Sequence, residues 1–202
     1  MEELPPDNRL LDLVIVGAGP AGIALGAEAV AAGIPPSRLL ILERGEAHSF
    51  SIRKFYPESK VVTANYKGQA AVCTGVLCLT DASKGETLTY LDRAIEDNGL
   101  VARYGEPVGA IRPRDGFFLV ETPSRTYRSK TCAVAIGIDF DGAVPVLGDG
   151  YETSIPGLFL VGDLTAGKTG GSIISAFNSA SDAMRALCEG HLDCPIPPRP
   201  RS

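Results

Sequence analysis

The sequence predicts an α/β protein: a parallel sheet with helices on both faces and a small antiparallel β-meander inserted into it. Three observations lead there. Two short, almost wholly apolar segments, residues 10–16 and 38–43, flank a run of strong helix formers, which is the pattern of a βαβ unit. After residue 100 come four short strand-like segments separated by turn signals. Two further apolar runs and a long amphipathic stretch then follow.

Leu10 to Val16 (LLDLVIV) is short, branched and ended by Gly17, as a buried strand is. Pro20 to Ala32 has Pro in its first turn and Gly33 just past its end, so it reads as a helix. Arg38 to Glu43 (RLLILE) is the second strand. Residues 44–85 show little periodicity. Glu86 to Asn98 returns to helical spacing, with Leu88, Leu91 and Ile95 on one face and Gly99 as a stop. VARY, VGAIR, GFFLVET and TYRS, split by turns such as Arg114-Asp115-Gly116, predict the meander. Thr131 to Ile136 and Leu158 to Val161 are apolar strands ended by glycine. Gly171 to Glu189 reads as a helix with Ile173, Phe177, Ala180, Met184 and Leu187 in one stripe. The tail from His191 is Pro-rich and expected to fray.

Composition narrows the class. The 202 residues are 45% hydrophobic and 21% charged, an ordinary globular balance that argues against disorder and coiled coil. With 23 Gly and 15 Pro, many tight turns are expected. The net charge of −5 and the lack of a basic run make nucleic acid a poor partner. Leu13 to Ala27 is the longest apolar stretch, at 15 residues with four Gly and one Pro, too short and broken to span a bilayer. The acidic start MEELPPDNR lacks a signal peptide's basic region, so five Cys are expected as reduced thiols in the cytoplasm. His48 and His191 are the only histidines, too few and too far from any Cys cluster for a zinc site, so no metal is expected.

Gly17-Ala18-Gly19-Pro20-Ala21-Gly22 is a G-x-G-x-x-G directly after a strand and opening a helix. The first glycine permits the turn, the second lets backbone approach a pyrophosphate, and the third lets helix pack on strand. The anion would then sit at a helix N-terminus. Glu43 closes the next strand, 26 residues after Gly17, where a carboxylate accepts from both hydroxyls of an adenosine ribose and repels a 2′-phosphate. Arg44 follows it. This is a Rossmann-like dinucleotide site, and these residues alone do not separate FAD from NAD.

Further on, Ile155 to Asp163 (IPGLFLVGD) places an acid where an apolar strand ends, followed by a Gly-rich segment and a helix. This stretch resembles the C-terminal flavin-binding motif of the two-dinucleotide-binding-domain flavoproteins, the thioredoxin-reductase and disulfide-reductase superfamily. The subgroup looks closest to thioredoxin-reductase-like and bacillithiol-disulfide-reductase-like proteins. The resemblance implies that Gly162 and Asp163 serve the ribityl chain and that Gly171-Ser172-Ile173 face the flavin's pyrimidine edge. There, a helix N-terminus stabilises negative charge on the reduced ring. It also implies that Ala135-Ile136-Gly137 is the Ala-Thr-Gly-like motif, with Ile for the hydroxyl residue, and that Val108 holds adenine through its backbone. Asn178 stands where relatives often have Gly. The resemblance covers residues 8–190. It makes residues 1–190 one FAD-binding domain, in an N-terminal part (8–137) and a C-terminal part (138–190), with 191–202 as the tail.

Two departures from that pattern shape the expected function. Relatives insert a nicotinamide-nucleotide domain, on the order of 100 residues, before the C-terminal motif. Only 24 residues separate Gly137 from Gly162 here, and Ile138 to Gly142 looks like the segment that follows that domain. No C-x-x-C is present either. Cys73 and Cys78 have the C-x4-C spacing of a redox disulfide but lie 56 residues beyond Gly17. The alternation of AVCTGVLCL also fits a strand, with the two cysteines on opposite faces. They read either as a redox pair or as small apolar residues; Cys132 and Cys188 read as core, and Cys194 lies in the tail. Lys54, Lys60, Tyr66 and Lys67 occupy the stretch that lines the flavin in relatives. The expected function is that of an FAD-dependent oxidoreductase domain receiving electrons from NAD(P)H or a partner protein. The alternatives are a non-catalytic flavin-binding module and an NAD-binding Rossmann protein.

Overall fold

The computed structural model describes residues 9–63, 65–66, 69–70, 72–137, 146–165 and 171–197, with backbone alone at 65–66 and 69–70. The expectations for Tyr66, Lys67 and Ile138 to Gly142 therefore lie outside the described side chains. In chain order the strands and helices are β1 (Leu10–Val16), α1 (Pro20–Ala31), β2 (Leu39–Leu42), α2 (Phe50–Phe55), β3 (Val61–Val62), β4 (Asn65–Tyr66), β5 (Gln69–Ala70) and β6 (Ala82–Ser83). Then come α3 (Lys84–Asp97), β7 (Ala102–Arg103), β8 (Ala110–Arg114), β9 (Phe117–Glu121), β10 (Thr126–Val134), β11 (Leu158–Leu160) and α4 (Ile173–Gly190). Two-stranded antiparallel pairs β3–β6 and β4–β5 stand apart from the main sheet.

The main sheet has seven strands in the order β7-β2-β1-β10-β9-β8, with β11 on β10. β1 and β2 lie where the sequence put them. VARY does not belong to the meander: Ala102 and Arg103 pair in parallel with Ile41 and Leu42, extending the core sheet. TYRS and TCAVAI form one strand, β10. Its first half pairs antiparallel with β9 and its second half in parallel with β11, while β1 runs alongside its length. The meander is thus continuous with the parallel sheet.

A second difference concerns the layers. The buried residues of α1, α3 and α4 share one cluster with Leu13, Ile15, Leu39 and Ile41. The opposite face, with Leu11, Val14, Leu40 and Leu42, packs on Phe118, Val120 and Tyr127 of the meander. The helices lie on one face because β1, β2 and β7 step in one direction. Right-handed crossovers then place α1 and α3 on the same side. The β8–β9 hairpin covers the side where more helices were expected.

α1 is buried almost all round, as a helix between a sheet and other helices must be. Its one buried acid, Glu28, accepts a 2.6 Å hydrogen bond from Val76 N, and burial pushes its carboxyl above the usual range. α3 starts at Ser83, which forms a reciprocal capping box with Glu86, and Leu91 is fully buried.

The cysteines correct the sequence reading most. Cys73 and Cys78 form a disulfide, as do Cys188 and Cys194. Only Cys132 is free, buried in β10 with its thiol pushed up by burial. Residues 72–80 are a loop rather than a strand, so the turn around Gly75 brings the two sulfurs together. The start of the tail packs: Leu192 is buried, and His191 pairs with Glu152 at 2.6 Å. Among the described residues no helix is long and apolar enough to cross a membrane.

Candidate dinucleotide-binding site

Gly17 leaves β1 with φ +107°, and a Cβ there would strike Ala135 O at the end of β10. Gly22 sits one turn into α1, where a Cβ would run into Gly17 O. Side chains at either position are excluded by this close approach. Gly19, between them, faces open space: a Cβ would meet only Ala135 O, at 3.9 Å. The loop is therefore closed toward the protein and open on its outer side. Pro20 fills the first turn of α1, whose N-cap Gly19 makes no side-chain cap bond. The terminal N–H groups remain for an anion.

Glu43 lies directly past β2 and is 7% exposed. Its Oε2 accepts from Ala18 N and its Oε1 from Gly45 N, both at 2.8 Å. The carboxylate is thereby fixed against the glycine loop. Arg44 is exposed beside it. The turn after β7 is drawn to the same place, with Glu106 N on Glu43 O and Gly105 N on Gly45 O, both at 2.9 Å. Val108, two residues on, packs against the meander-side cluster.

At the other end, Gly162 N is held by Ser179 Oγ at 2.9 Å, and Gly162 packs on Ala21. Asp163 then lies against Gly171, filling the space a Cβ there would take. Burial raises its carboxyl above the usual range. Ser172 caps α4, accepting from Ser175 N at 3.1 Å, and Ile173 begins the helix, 8% exposed. Gly137 follows β10 with φ +74° and nothing near it. The structure thus gathers the two motifs across the N-terminal ends of α1 and α4, which pack against each other.

Tyr56, which sequence reasoning missed, is near enough to Asp163 for that charge to add to the burial that raises its hydroxyl. Lys60 sits over its ring and Lys54 over Phe50 and Phe55, so neither lysine is spare. Asn178 also gains a role. It donates from Nδ2 to Val72 O at 2.8 Å and accepts on Oδ1 from Thr74 N at 2.9 Å, bracketing Cys73. A cavity of about 840 Å³ lies elsewhere, along the outer face of α4 between Thr74, Tyr151, Asp182 and Arg185. It does not touch the glycine loop. Among the described residues no group of acids, Cys or His is set for a metal.

The sequence from 14 to 149 matches the model of a family described as pyridine nucleotide-disulphide oxidoreductase. No curated protein matches it. Among solved structures it resembles the bacillithiol disulfide reductase of Staphylococcus aureus, at 20% identity and TM-score 0.52 over 69% of this chain and 42% of that one. It also resembles the thioredoxin reductase of T. acidophilum, at 16% identity and TM-score 0.67 over 90% of this chain and 99% of that one. The atypical thioredoxin reductase of Desulfovibrio vulgaris Hildenborough gives 15% and 0.64 over 89% and 97%. These likenesses show the fold. The chain spans about two-fifths of the bacillithiol enzyme. With the family model covering most of its length, the chain belongs to the pyridine nucleotide-disulphide oxidoreductase family.

Proposed function

We propose that this chain binds FAD and acts as the flavin domain of an oxidoreductase, taking electrons from NAD(P)H or from a partner protein. The observation that carries the reading is the half-buried Asp163 carboxylate, its proton affinity raised by desolvation, at one end of a site whose other end is Glu43. Two separated carboxylates with a phosphate loop between them fit the hydroxyls of a ribose, a pyrophosphate and a ribityl chain in turn.

Within this proposal the chain's residues have separate tasks. Gly19, Ala21 and Gly22 receive the pyrophosphate on backbone N–H groups, while Gly17, whose own N–H goes to Leu42 O, makes the turn and Pro20, which has no N–H, sets the first turn of α1. Glu43 holds the adenosine ribose, with Arg44 and Val108 at the adenine end. Asp163, with Gly162 and Gly137, holds the ribityl chain; burial is what raises its affinity for protons. Gly171, Ser172 and Ile173 bring the positive end of α4 to the ring. When bound, the flavin supplies two-electron chemistry.

The short 137–162 connection favours a second reading, a flavin-binding module without turnover. Stopped-flow mixing of the FAD-loaded chain with NADPH and NADH separates the two. Flavin bleaching within seconds supports the oxidoreductase, and none over minutes supports the module. A cytoplasmic location belongs to the same proposal.

A further inference from the structure

His48 is 3% exposed, and Ser49 beside it 1%. Ser49 is held at φ +55°, a left-handed conformation that costs a non-glycine residue energy. Its N–H donates to Ala18 O of the phosphate loop at 2.8 Å. The His48 ring is engaged at both nitrogens. Nδ1 lies 2.9 Å from Ser49 Oγ. Nε2 lies 2.8 Å from Asp92 Oδ1 on α3 and 2.7 Å from Arg53 Nη2 on α2.

That second nitrogen cannot serve both neighbours. With a hydrogen it donates to Asp92 and sets N–H against N–H at Arg53. Bare, it accepts from Arg53 and sets a lone pair against the carboxylate. Protonation forces the first arrangement, because both ring nitrogens then donate. We propose that His48 is a positioning residue for the dinucleotide site, and that its protonation releases α2 by removing the acceptor of Arg53.

α2 links the two ends of that site. Phe50, its first residue, packs near Gly45 beside Glu43, and Tyr56 just after it lies near Asp163. Arg53 also donates from Nε to His48 O at 2.8 Å, so releasing Nη2 loosens the Arg53 side chain while buried Ile52 still anchors α2. The groups facing the imidazole are Asp92 from α3, Arg53 from α2 and Glu43 beyond β2; Tyr104, after β7, feels the same three charges. Burial lowers the proton affinity of His48 most. Asp92 and Glu43 raise it, and Arg53 lowers it.

The test uses the cofactor-free chain, following the His48 ring by NMR and hydrogen exchange at the Arg53 and Tyr56 amides, which bond Ser49 O and Ile52 O. Asp92→Asn and Arg53→Gln change exposed side chains, so both should fold. Protection of α2 should fall through the imidazole midpoint. Asp92→Asn should move midpoint and step together to lower pH, by about one unit. Arg53→Gln should move the ring's midpoint up and abolish the step. A step absent at the imidazole midpoint, or surviving Arg53→Gln, would overturn the proposal. The link to the site rests on the FAD reading, and FAD affinity should show the same step. A chain that takes up no FAD at any pH would sink that reading, while the α2 measurements would still decide the role of His48.

Discussion

Ala18 donates its backbone N–H to Glu43 Oε2 at 2.8 Å, which ties the middle of the glycine loop to the acid that closes the neighbouring strand. Motif residues 25 positions apart thus form one rigid edge. The carboxylate is turned by backbone donors before any ligand arrives, which lowers the ordering cost of binding.

Glu43→Gln should keep the fold, because an amide oxygen still accepts from one of the two backbone donors. It should weaken FAD binding by about 1–1.5 kcal/mol, roughly 5- to 12-fold, through loss of charge-assisted acceptance. Flavin fluorescence titration reads this directly. An unchanged Kd would make Glu43 a brace for the loop and nothing more.

Gly19 and Gly22 should part company. Gly19→Val adds its side chain on the open side, so far-UV circular dichroism and melting should stay near wild type while FAD uptake is lost. Gly22→Val drives a side chain into Gly17 O and should cost about 1–3 kcal/mol of stability or more. Normal flavin uptake by Gly19→Val would mean that the loop does not cradle phosphate.

Glu28 gives a pH signature. Its folded proton affinity is raised by burial, so the native state holds a proton that the unfolded chain has released. Stability should therefore fall as pH rises from about 4.5 through the folded pKa, then level off. Glu28→Gln keeps the acceptor for Val76 N and should melt higher than wild type at pH 7 but not at pH 4. A variant that melts lower at pH 7 would show that the attraction of Arg185, which acts on the same carboxylate, outweighs the burial.

Reduction should destabilise the fold. Each disulfide closes a short loop, with sequence separations of 5 and 6, worth about 2 kcal/mol in chain entropy. Calorimetry with and without a reductant, on wild type and Cys188→Ser, apportions the loss. An identical melting curve after reduction would contradict the pairing.

The legible parts of the sequence were those whose signal is local. β1 matches its short, largely apolar run and Pro20 marks the start of α1, whereas α3 begins at Lys84, two residues before the expected Glu86, because Ser83 caps it. The acids at strand ends, Glu43 and Asp163, were legible for the same reason. What escaped depends on partners distant in the chain. Ala102–Arg103 joins the core only because β2 offers an open edge. Cys73 meets Cys78 because Glu28 and Asn178, on two different helices, hold the intervening turn. The Tyr56 position near Asp163 bridges more than 100 residues, and no periodicity encodes it.

The central claim is that the site spanning Glu43 and Asp163 takes FAD. Its most direct test is to incubate the purified chain with a mixture of FAD and NAD, remove free nucleotide, denature the protein and identify what is released. The account predicts one FAD per chain and no NAD, with release lost in Asp163→Ala. NAD in place of FAD, or no nucleotide at all from a folded chain, would contradict it.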